Sequence, residues 1–381
     1  MKLIHLSDLH LGKRVNEFSM LEDQKYILKE ILEIVDDEKS VGLIIAGDIY
    51  DKSIPPAEAV ELFDDFLYAL SKRNQQVFVI SGNHDSPERI AFGGRLMGAS
   101  GIHMSPVYDG NILPITISDG EVEVRVYMLP FIKPANVRRF FPDQEINSYT
   151  AAVKVALAQA KIDKSKTNIL VTHQFVTGAS RSDSEDISVG GADNVDASAM
   201  DQFDYVALGH IHGPQNISSE KGNAIRYCGT PLKYSFSEAN HDKSVTVLEI
   251  GKGGLKEIRT VPLKPLRDMR EIRGSYIEVT SKDAYKDKDR KDYIHITLTD
   301  EEDVIDAVAK LRIIYPNLMK LDYDNKRTRS SGNVAEAEDI QNKLPLQLLE
   351  EFYEKQNNQP LSEEQRSFSQ KMIEKVWEDE Q

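Results

Sequence analysis

Short apolar runs of strand character recur through the first 210 or so positions, and each breaks off into small polar residues. Five stand out: Leu3-Ile4-His5-Leu6, Leu43-Ile44-Ile45-Ala46, Val77-Phe78-Val79-Ile80, Ile169-Leu170-Val171 and Tyr205-Val206-Ala207-Leu208. Between them lie segments with apolar residues at helical spacing. Residues 21–35 carry Ile27, Leu28, Ile31, Leu32 and Val35, and residues 56–70 carry Val60, Phe63, Leu67 and Leu70. Residues 112–117 and 122–126, joined through Asp119-Gly120, predict a hairpin. From Tyr205 onward strands dominate, with further ones at 244–250 and 256–261. This pattern predicts an α/β (α+β) domain over residues 1–265, with mixed sheets stacked face to face inside helical layers.

The pattern then changes twice. Residues 266–326 predict a small α/β unit: strands near 275–279, 293–298 and 318–323, and a helix over 301–315. It is too short to be a second enzyme. Residues 327–343 are rich in charge, Ser, Gly and Asn and poor in large apolar residues, which predicts a linker. Residues 344–381 predict two amphipathic helices. One carries Leu346, Leu349, Phe352 and Tyr353 on a face; the other carries Phe368, Met372, Ile373, Val376 and Trp377. Ser362 followed by Gln365 suits a capping box. Such a hairpin cannot bury its apolar faces alone, so it either folds back on the body or binds a partner.

Composition narrows the setting. The single cysteine, Cys228, permits no disulfide within the chain and suits a reducing cytoplasm. The opening residues do not form a secretion signal, since Asp8 interrupts the first apolar stretch. No run approaches the roughly 20 apolar residues of a membrane span. The net charge of −15 counts against tight binding of duplex DNA by this chain alone, because basic footprints supply most such affinity. Many carboxylates lie in the tail from Glu336 onward, and bound cations would invert the field at a metal site.

The chemistry follows the five strands. Each runs into a block of metal-ligand residues: Asp8-Leu9-His10, Gly47-Asp48-Ile49-Tyr50-Asp51, Gly82-Asn83-His84-Asp85, Thr172-His173-Gln174 and Gly209-His210-Ile211-His212. Five of the nine histidines are in these blocks. Ligands at the carboxyl ends of successive strands can converge on one crevice. Asp48 can bridge two cations, one per oxygen, and Asp8, His10, Asn83, His173, His210 and His212 can fill the other positions. Imidazole, carboxylate and amide donors without thiolate favour Mn, Fe or Zn over Mg or Ca. Two such ions about 3.5–4 Å apart suit an in-line phosphoryl displacement. The blocks therefore predict phosphoester hydrolysis. Gly47, Gly82 and Gly209 let the backbone turn and approach the ions.

The order Asp-x-His, Gly-Asp-x-x-Asp, Gly-Asn-His-Asp, His, Gly-His-x-His resembles that of the calcineurin-like metallophosphoesterases. Within them the chain is most similar to the SbcD family, the nuclease subunits of bacterial SbcCD complexes. Residues 4–13, 47–51, 81–86, 209–212 and 227–238 carry the likeness. It implies a metallophosphoesterase β-sandwich flanked by helices, a small capping domain that admits and orients DNA, and a C-terminal helical hairpin. It implies that Asp8, His10, Asp48 and His212 hold one metal ion, and that Asp48, Asn83, His173 and His210 hold the other, most readily Mn. His84 would protonate the leaving oxygen, and Asp51 would orient the His84 ring. Leu349, Phe352, Tyr353, Phe368, Met372, Val376 and Trp377 would bind an SbcC-like ATPase subunit, in a heterotetramer built on a homodimer of nuclease subunits. The expected activity is ATP-gated exonuclease action on double strands and endonuclease action on single strands, in a cytoplasmic, nucleoid-associated DNA-repair complex. His5, His103, His241 and His295 read as structural. Two readings stay open beside this one: a stand-alone phosphodiesterase on small molecules or nucleotides, and a scaffold that keeps the fold without catalysis. The capping unit is equally open to being a stabilising appendage with no DNA contact.

Overall fold

The five apolar runs form the strands Lys2–Leu6, Gly42–Ala46, Gln76–Ile80, Thr167–His173 and Tyr205–Gly209. They are apolar on both faces because both faces are covered. Leu3, Ile44, Phe78 and Ile80 face a core shared with Val124, Ile169, Val171, Tyr205 and Ala207 of a second sheet. Ile4, Leu43, Ile45, Val77 and Val79 point the other way, against Ile27, Ile31, Phe63 and Phe66 of two helices. Each fully buried side chain of this size contributes about 1.5–3 kcal/mol. The two-sheet layering follows from that alternation.

In the computed structural model residues 1–185, 193–325, 328, 345–357 and 360–379 are described, with backbone alone at 345, 354–357 and 374–379. The first sheet runs Gly254–Pro262, Ser244–Gly251, Lys2–Leu6, Gly42–Ala46, Gln76–Ile80, Ile102–Met104. Its last four strands are parallel, and Ser244–Gly251 lies antiparallel to Lys2–Leu6. The second runs Gln215–Ile217, Ala224–Tyr227, Tyr205–Gly209, Thr167–His173, Glu123–Leu129, Ile115–Ser118. Its middle four strands are parallel. All five ligand-bearing strands are central and parallel, so their carboxyl ends open on one rim.

Helices Leu21–Glu38 and Ala57–Lys72 cover the outer face of the first sheet. The second buries Ala59, Leu62, Phe63, Phe66 and Leu70. Val60 was expected on that face but is 44% exposed, because it is one residue out of step with the 59–62/63–66–70 stripe. The predicted hairpin begins later, at Ile115–Ser118. Pro114 has no N–H to give to a ladder.

The small three-stranded sheet is Met269–Gly274, Tyr293–Leu298 and Leu318–Tyr323. Residues 275–279, expected as a strand, instead enter the helix Tyr276–Thr280. Ser275 and Glu278 form a reciprocal capping box there, which satisfies the first free N–H groups of a helix. The helix expected over 301–315 is only Ala307–Ile314, preceded by Asp306 at φ 54°. A left-handed residue cannot continue a right-handed helix backwards. Asp23 of the first helix ties this sheet to the body: its buried carboxylate accepts from Arg267 Nη1 (2.7 Å) and Tyr293 Oη (2.7 Å).

The chain divides into two compact units. One is Met1–Thr297 with Ile305–Asp322, and the other is Leu298–Val304 with Tyr323–Gln381. The linker assigned to 327–343 lies outside the described residues except for residue 328. In the tail, helices Pro345–Asn357 and Glu363–Asp379 form. Ser362 N donates to Gln365 Oε1 (2.9 Å) and Gln365 N to Ser362 Oγ (3.2 Å), the expected capping box. Gln365 Nε2 also reaches Tyr353 Oη (3.1 Å), and Arg366 pairs with Glu350. Leu349, Phe352, Phe368 and Met372 are exposed, while Tyr353 is half-buried. The side chains of Val376 and Trp377 lie outside the described residues. Among the described residues, no helix is long and apolar enough to cross a membrane.

Candidate metal centre

The ligand blocks sit on tight turns, and the turns are bonded to one another. Asp8 N donates to Gly47 O and His10 N to Asp48 O, both at 3.0 Å. Asp85 accepts from Gly82 N (2.9 Å), Ile49 N (3.1 Å) and Tyr50 N (3.0 Å), locking the block of Asn83 to the block of Asp48. Four block residues adopt a left-handed backbone: Asp8 (φ 54°), His10 (46°), Asp48 (49°) and His210 (102°). These are four of the nine non-glycine residues with positive φ among the described residues. Such conformations cost of order 1–3 kcal/mol each and concentrate where function requires them. Two glycines are needed for close approach. A Cβ on Gly82 would lie 2.0 Å from Asp48 Oδ1, and one on Gly209 would lie 1.9 Å from Ala46 O.

The predicted ligands converge. Asn83 Oδ1 is 3.0 Å from His173 Nε2 and 2.8 Å from His210 Nδ1. Asp48 Oδ2 is 3.3 Å from His173 Nε2 and 3.7 Å from His10 Nε2. His10 Nε2 and His212 Nε2 are 3.1 Å apart. Asp8 groups with His10 and His212 on one side and with Asp48 and His173 on the other, with ligand atoms within 4.8 Å of one another. Asp8 thus touches both sets, and Asp48 Oδ2, between His10 Nε2 and His173 Nε2, is placed where a carboxylate shared by two ions would lie.

The donor chemistry fits cations. His173 Nδ1 donates to Ala46 O (2.8 Å), so a neutral His173 aims its Nε2 lone pair at the oxygens of Asn83 and Asp48. Acceptors facing acceptors at this distance need a positive charge between them. A backbone carbonyl holding the far nitrogen is the usual way a metal-binding imidazole is oriented. Ionisation agrees. Burial, reinforced by neighbouring histidines, lowers His10 well below its ordinary range and His210 to about 3, keeping both neutral. Burial pushes Asp8 up to about 6, with Asp48 adding to the push. Burial opposes a charge on His173 as well, but Asp48 and Asp8 outweigh it and raise it to about 9. The same partnership, with His10 and His84, overcomes burial to hold Asp48 well below the carboxylate range. A proton on His173 thus takes the place a cation would fill, and metal uptake would displace it.

His84 stands at the edge of this set, less buried than the other imidazoles. Its backbone N donates to Asp48 Oδ1 (3.0 Å), and Nε2 is 3.9 Å from Asp48 Oδ2. It also groups with His10 and Asp48 at ligand distance. Asp51 meets the His84 ring through its backbone: the Asp51 carbonyl oxygen lies 3.1 Å from His84 Nδ1. The carboxylate instead pairs with Lys13 Nζ (2.7 Å) and lies 3.8 Å from His10 Nδ1. His5 is buried with Nδ1 on Tyr205 Oη (2.9 Å); His103 meets Gln76, and His295 lies between Glu271 and Asp322.

Four further residues touch the site: Asp85 bonds its turns together, Glu185 Oε1 accepts from His212 N, and Ser184 Oγ lies 2.7 Å from His212 Nδ1 and donates to Glu238. Asp85 closes the Gly-Asn-His-Asp motif, and the motif alone does not show what it bonds. Glu238 closes the 227–238 stretch, and only that stretch signalled it. Ser184 and Glu185 carry no local signal.

Residues 1–214 match the family model described as calcineurin-like phosphoesterase, and residues 265–357 match one described as type 5 capsule protein repressor C-terminal domain. The chain is 34% identical over 372 residues to the D component of nuclease SbcCD from Staphylococcus epidermidis, covering 96% of each protein. It is 36% identical over 325 residues to the D component of nuclease SbcCD from Staphylococcus saprophyticus, covering 84% of each.

Proposed function

Because the chain belongs to the calcineurin-like phosphoesterases and, within them, to the D components of SbcCD nucleases, we propose that it hydrolyses DNA phosphodiester bonds with two divalent ions, Mn foremost. One observation carries this reading: seven ligand side chains from five strand ends converge, with nitrogen and oxygen ligand atoms 2.8–3.3 Å apart. Asp8, His10, Asp48 and His212 would hold one ion, and Asp48, Asn83, His173 and His210 the other. When bound, the ions supply positive charge at phosphorus and a lowered pKa for water.

The chain's own residues do the rest. Asp48 holds the His84 backbone. The Asp51 carbonyl can only accept, so His84 Nδ1 carries a proton and Nε2 is the nitrogen turned to the site. As the imidazolium, with a second proton on Nε2, the ring would give that proton to the leaving oxygen and return to the neutral Nδ1–H form. Phe131 stacks near-parallel to His210 (6.5 Å, 18°), and Phe175 lies at its edge (6.4 Å); together they shield that ring from water. The apolar positions of the tail, Leu349, Phe352, Phe368 and Met372 among them, are assigned to an SbcC-like ATPase, in a cytoplasmic heterotetramer with two nuclease subunits.

Cleavage of single- and double-stranded DNA by the purified chain, with Mn and with Mg, tests the reading. Bis-p-nitrophenyl phosphate serves as the small diester. Asp48→Ala should bind neither ion and cleave nothing. Turnover of the small diester with no action on any DNA would favour the stand-alone phosphodiesterase instead.

A further inference from the structure

One polar cluster fixes every polar atom of His212 except Nε2. The backbone N donates to Glu185 Oε1 (2.7 Å) and the backbone O accepts from Lys243 Nζ (3.0 Å). Nδ1 lies 2.7 Å from Ser184 Oγ. Ser184 in turn donates to Glu238 Oε1 (2.5 Å), and the Lys243 ammonium pairs with Glu238 Oε2. Glu185, Glu238 and Lys243 are all buried.

A hydroxyl has one proton to give. Lys243 stabilises the charge on Glu238, so the Ser184 proton is committed to that carboxylate. The Ser184 oxygen can then only accept from His212 Nδ1–H. Ser182 Oγ, 2.9 Å from Ser184 Oγ, is itself a donor to Glu185 Oε2 (3.1 Å) and leaves this order intact. An imidazole protonated at Nδ1 presents its lone pair at Nε2, the nitrogen that faces His10 Nε2. The other tautomer would present a hydrogen there and repel a cation.

We propose that Ser184 and Glu238 are positioning residues of the metal centre, a hydroxyl–carboxylate relay that sets the tautomer and aim of His212. The proposal rests on the two-ion reading. The relay enters from a loop far from His212 in the sequence, and its hydroxyl is the replaceable link. A purely structural role for the cluster would be served by the Glu238–Lys243 pair alone, without Ser184.

The test uses full-length protein labelled with 15N-histidine. In the metal-free state, NMR should report His212 as the Nδ1–H tautomer. Ser184→Ala should show mixed tautomers with a near-normal melting transition. Calorimetric titration with Mn should find one of the two ions weakened by about 10–100-fold, the usual cost of losing such support. Ser184→Thr, which keeps the hydroxyl, should restore both readouts, and Glu238→Gln should disturb the tautomer in the same direction as Ser184→Ala. Wild-type tautomer and affinity in Ser184→Ala, or failure of Ser184→Thr to rescue, would overturn the relay alone. A wild-type protein that takes up no Mn would overturn the two-ion reading itself.

Discussion

Gly82→Ala tests the site through sterics alone, because no left-handed backbone is involved at this position. The added Cβ would stand 2.0 Å from Asp48 Oδ1 and 2.4 Å from Asp48 N. Ordinary contact needs about 3.4 Å, so Asp48 or the Gly82 turn must give way by more than about 1 Å in a close-packed interior. The turn is anchored, since Gly82 N is bonded to the buried Asp85 carboxylate (2.9 Å). Asp48 is the member that moves. Its Oδ1 would lose the His84 N–H (3.0 Å), and its Oδ2 would leave the 3.3 Å approach to His173. Overpacking of this kind costs about 1–3 kcal/mol, and a 1 Å misplacement can cost about 100-fold in rate. We expect a folded protein with a lowered melting temperature, both ions weakened, and turnover of bis-p-nitrophenyl phosphate down by about 100-fold. Calorimetry, Mn titration and initial rates would measure these. Wild-type affinity for two ions in Gly82→Ala would show that Asp48 need not sit where it does, and the bridging argument would collapse.

Further outcomes are expected. His84→Ala should keep both ions by elemental analysis while turnover drops on the order of 100-fold; loss of an ion would make the ring a ligand instead. Arg267→Ala leaves the buried Asp23 carboxylate with only Tyr293, and should cost about 2–3 kcal/mol in denaturant unfolding, somewhat less than a fully buried pair because the arginine is partly exposed; an unchanged midpoint would remove the tie between the small sheet and the body. Burial works against ionising Glu238, but the His212 ring and the Lys243 ammonium outweigh it and hold it well below its ordinary 4.5. A lowered folded-state pKa contributes stability above 4.5 that is lost as pH falls below it. Glu238→Gln should therefore flatten the acid limb of unfolding midpoints of the metal-free protein, and an identical acid limb would deny the pair that role. Truncation after Asp339 should leave metal-dependent cleavage of single strands and abolish association with the ATPase in a pull-down; retained association would return the tail to its own chain.

The strands and their terminal blocks were legible because both signals are local. A run such as Val77-Phe78-Val79-Ile80 states its own burial, and Gly-Asn-His-Asp follows at once. The capping box at Ser275 was equally local, yet apolar Tyr276, Ile277 and Val279 suggested a strand, and the caps prevailed. Asp51 shows a finer limit. Its position predicted contact with His84, but whether backbone or carboxylate makes it depends on Lys13, 38 residues earlier. Ser184 marks the far limit, since its meaning exists only through Glu238 and His212, joined by folding.

The left-handed backbones of Asp8, His10, Asp48 and His210 also set heat resistance against activity. Aspartate tolerates that conformation moderately and histidine less, whereas glycine adopts it without steric cost. Selection for thermal survival of the metal-free chain would therefore drift toward glycine at His10 and His210. It would also thin out the neighbouring carboxylates of Asp8, Asp48 and Asp85, where burial opposes the charge. Selection for cleavage would reject those same changes. The most durable descendants of this sequence should thus be the inert ones, and any lineage that stays active keeps the strain and offsets it elsewhere in the sheets.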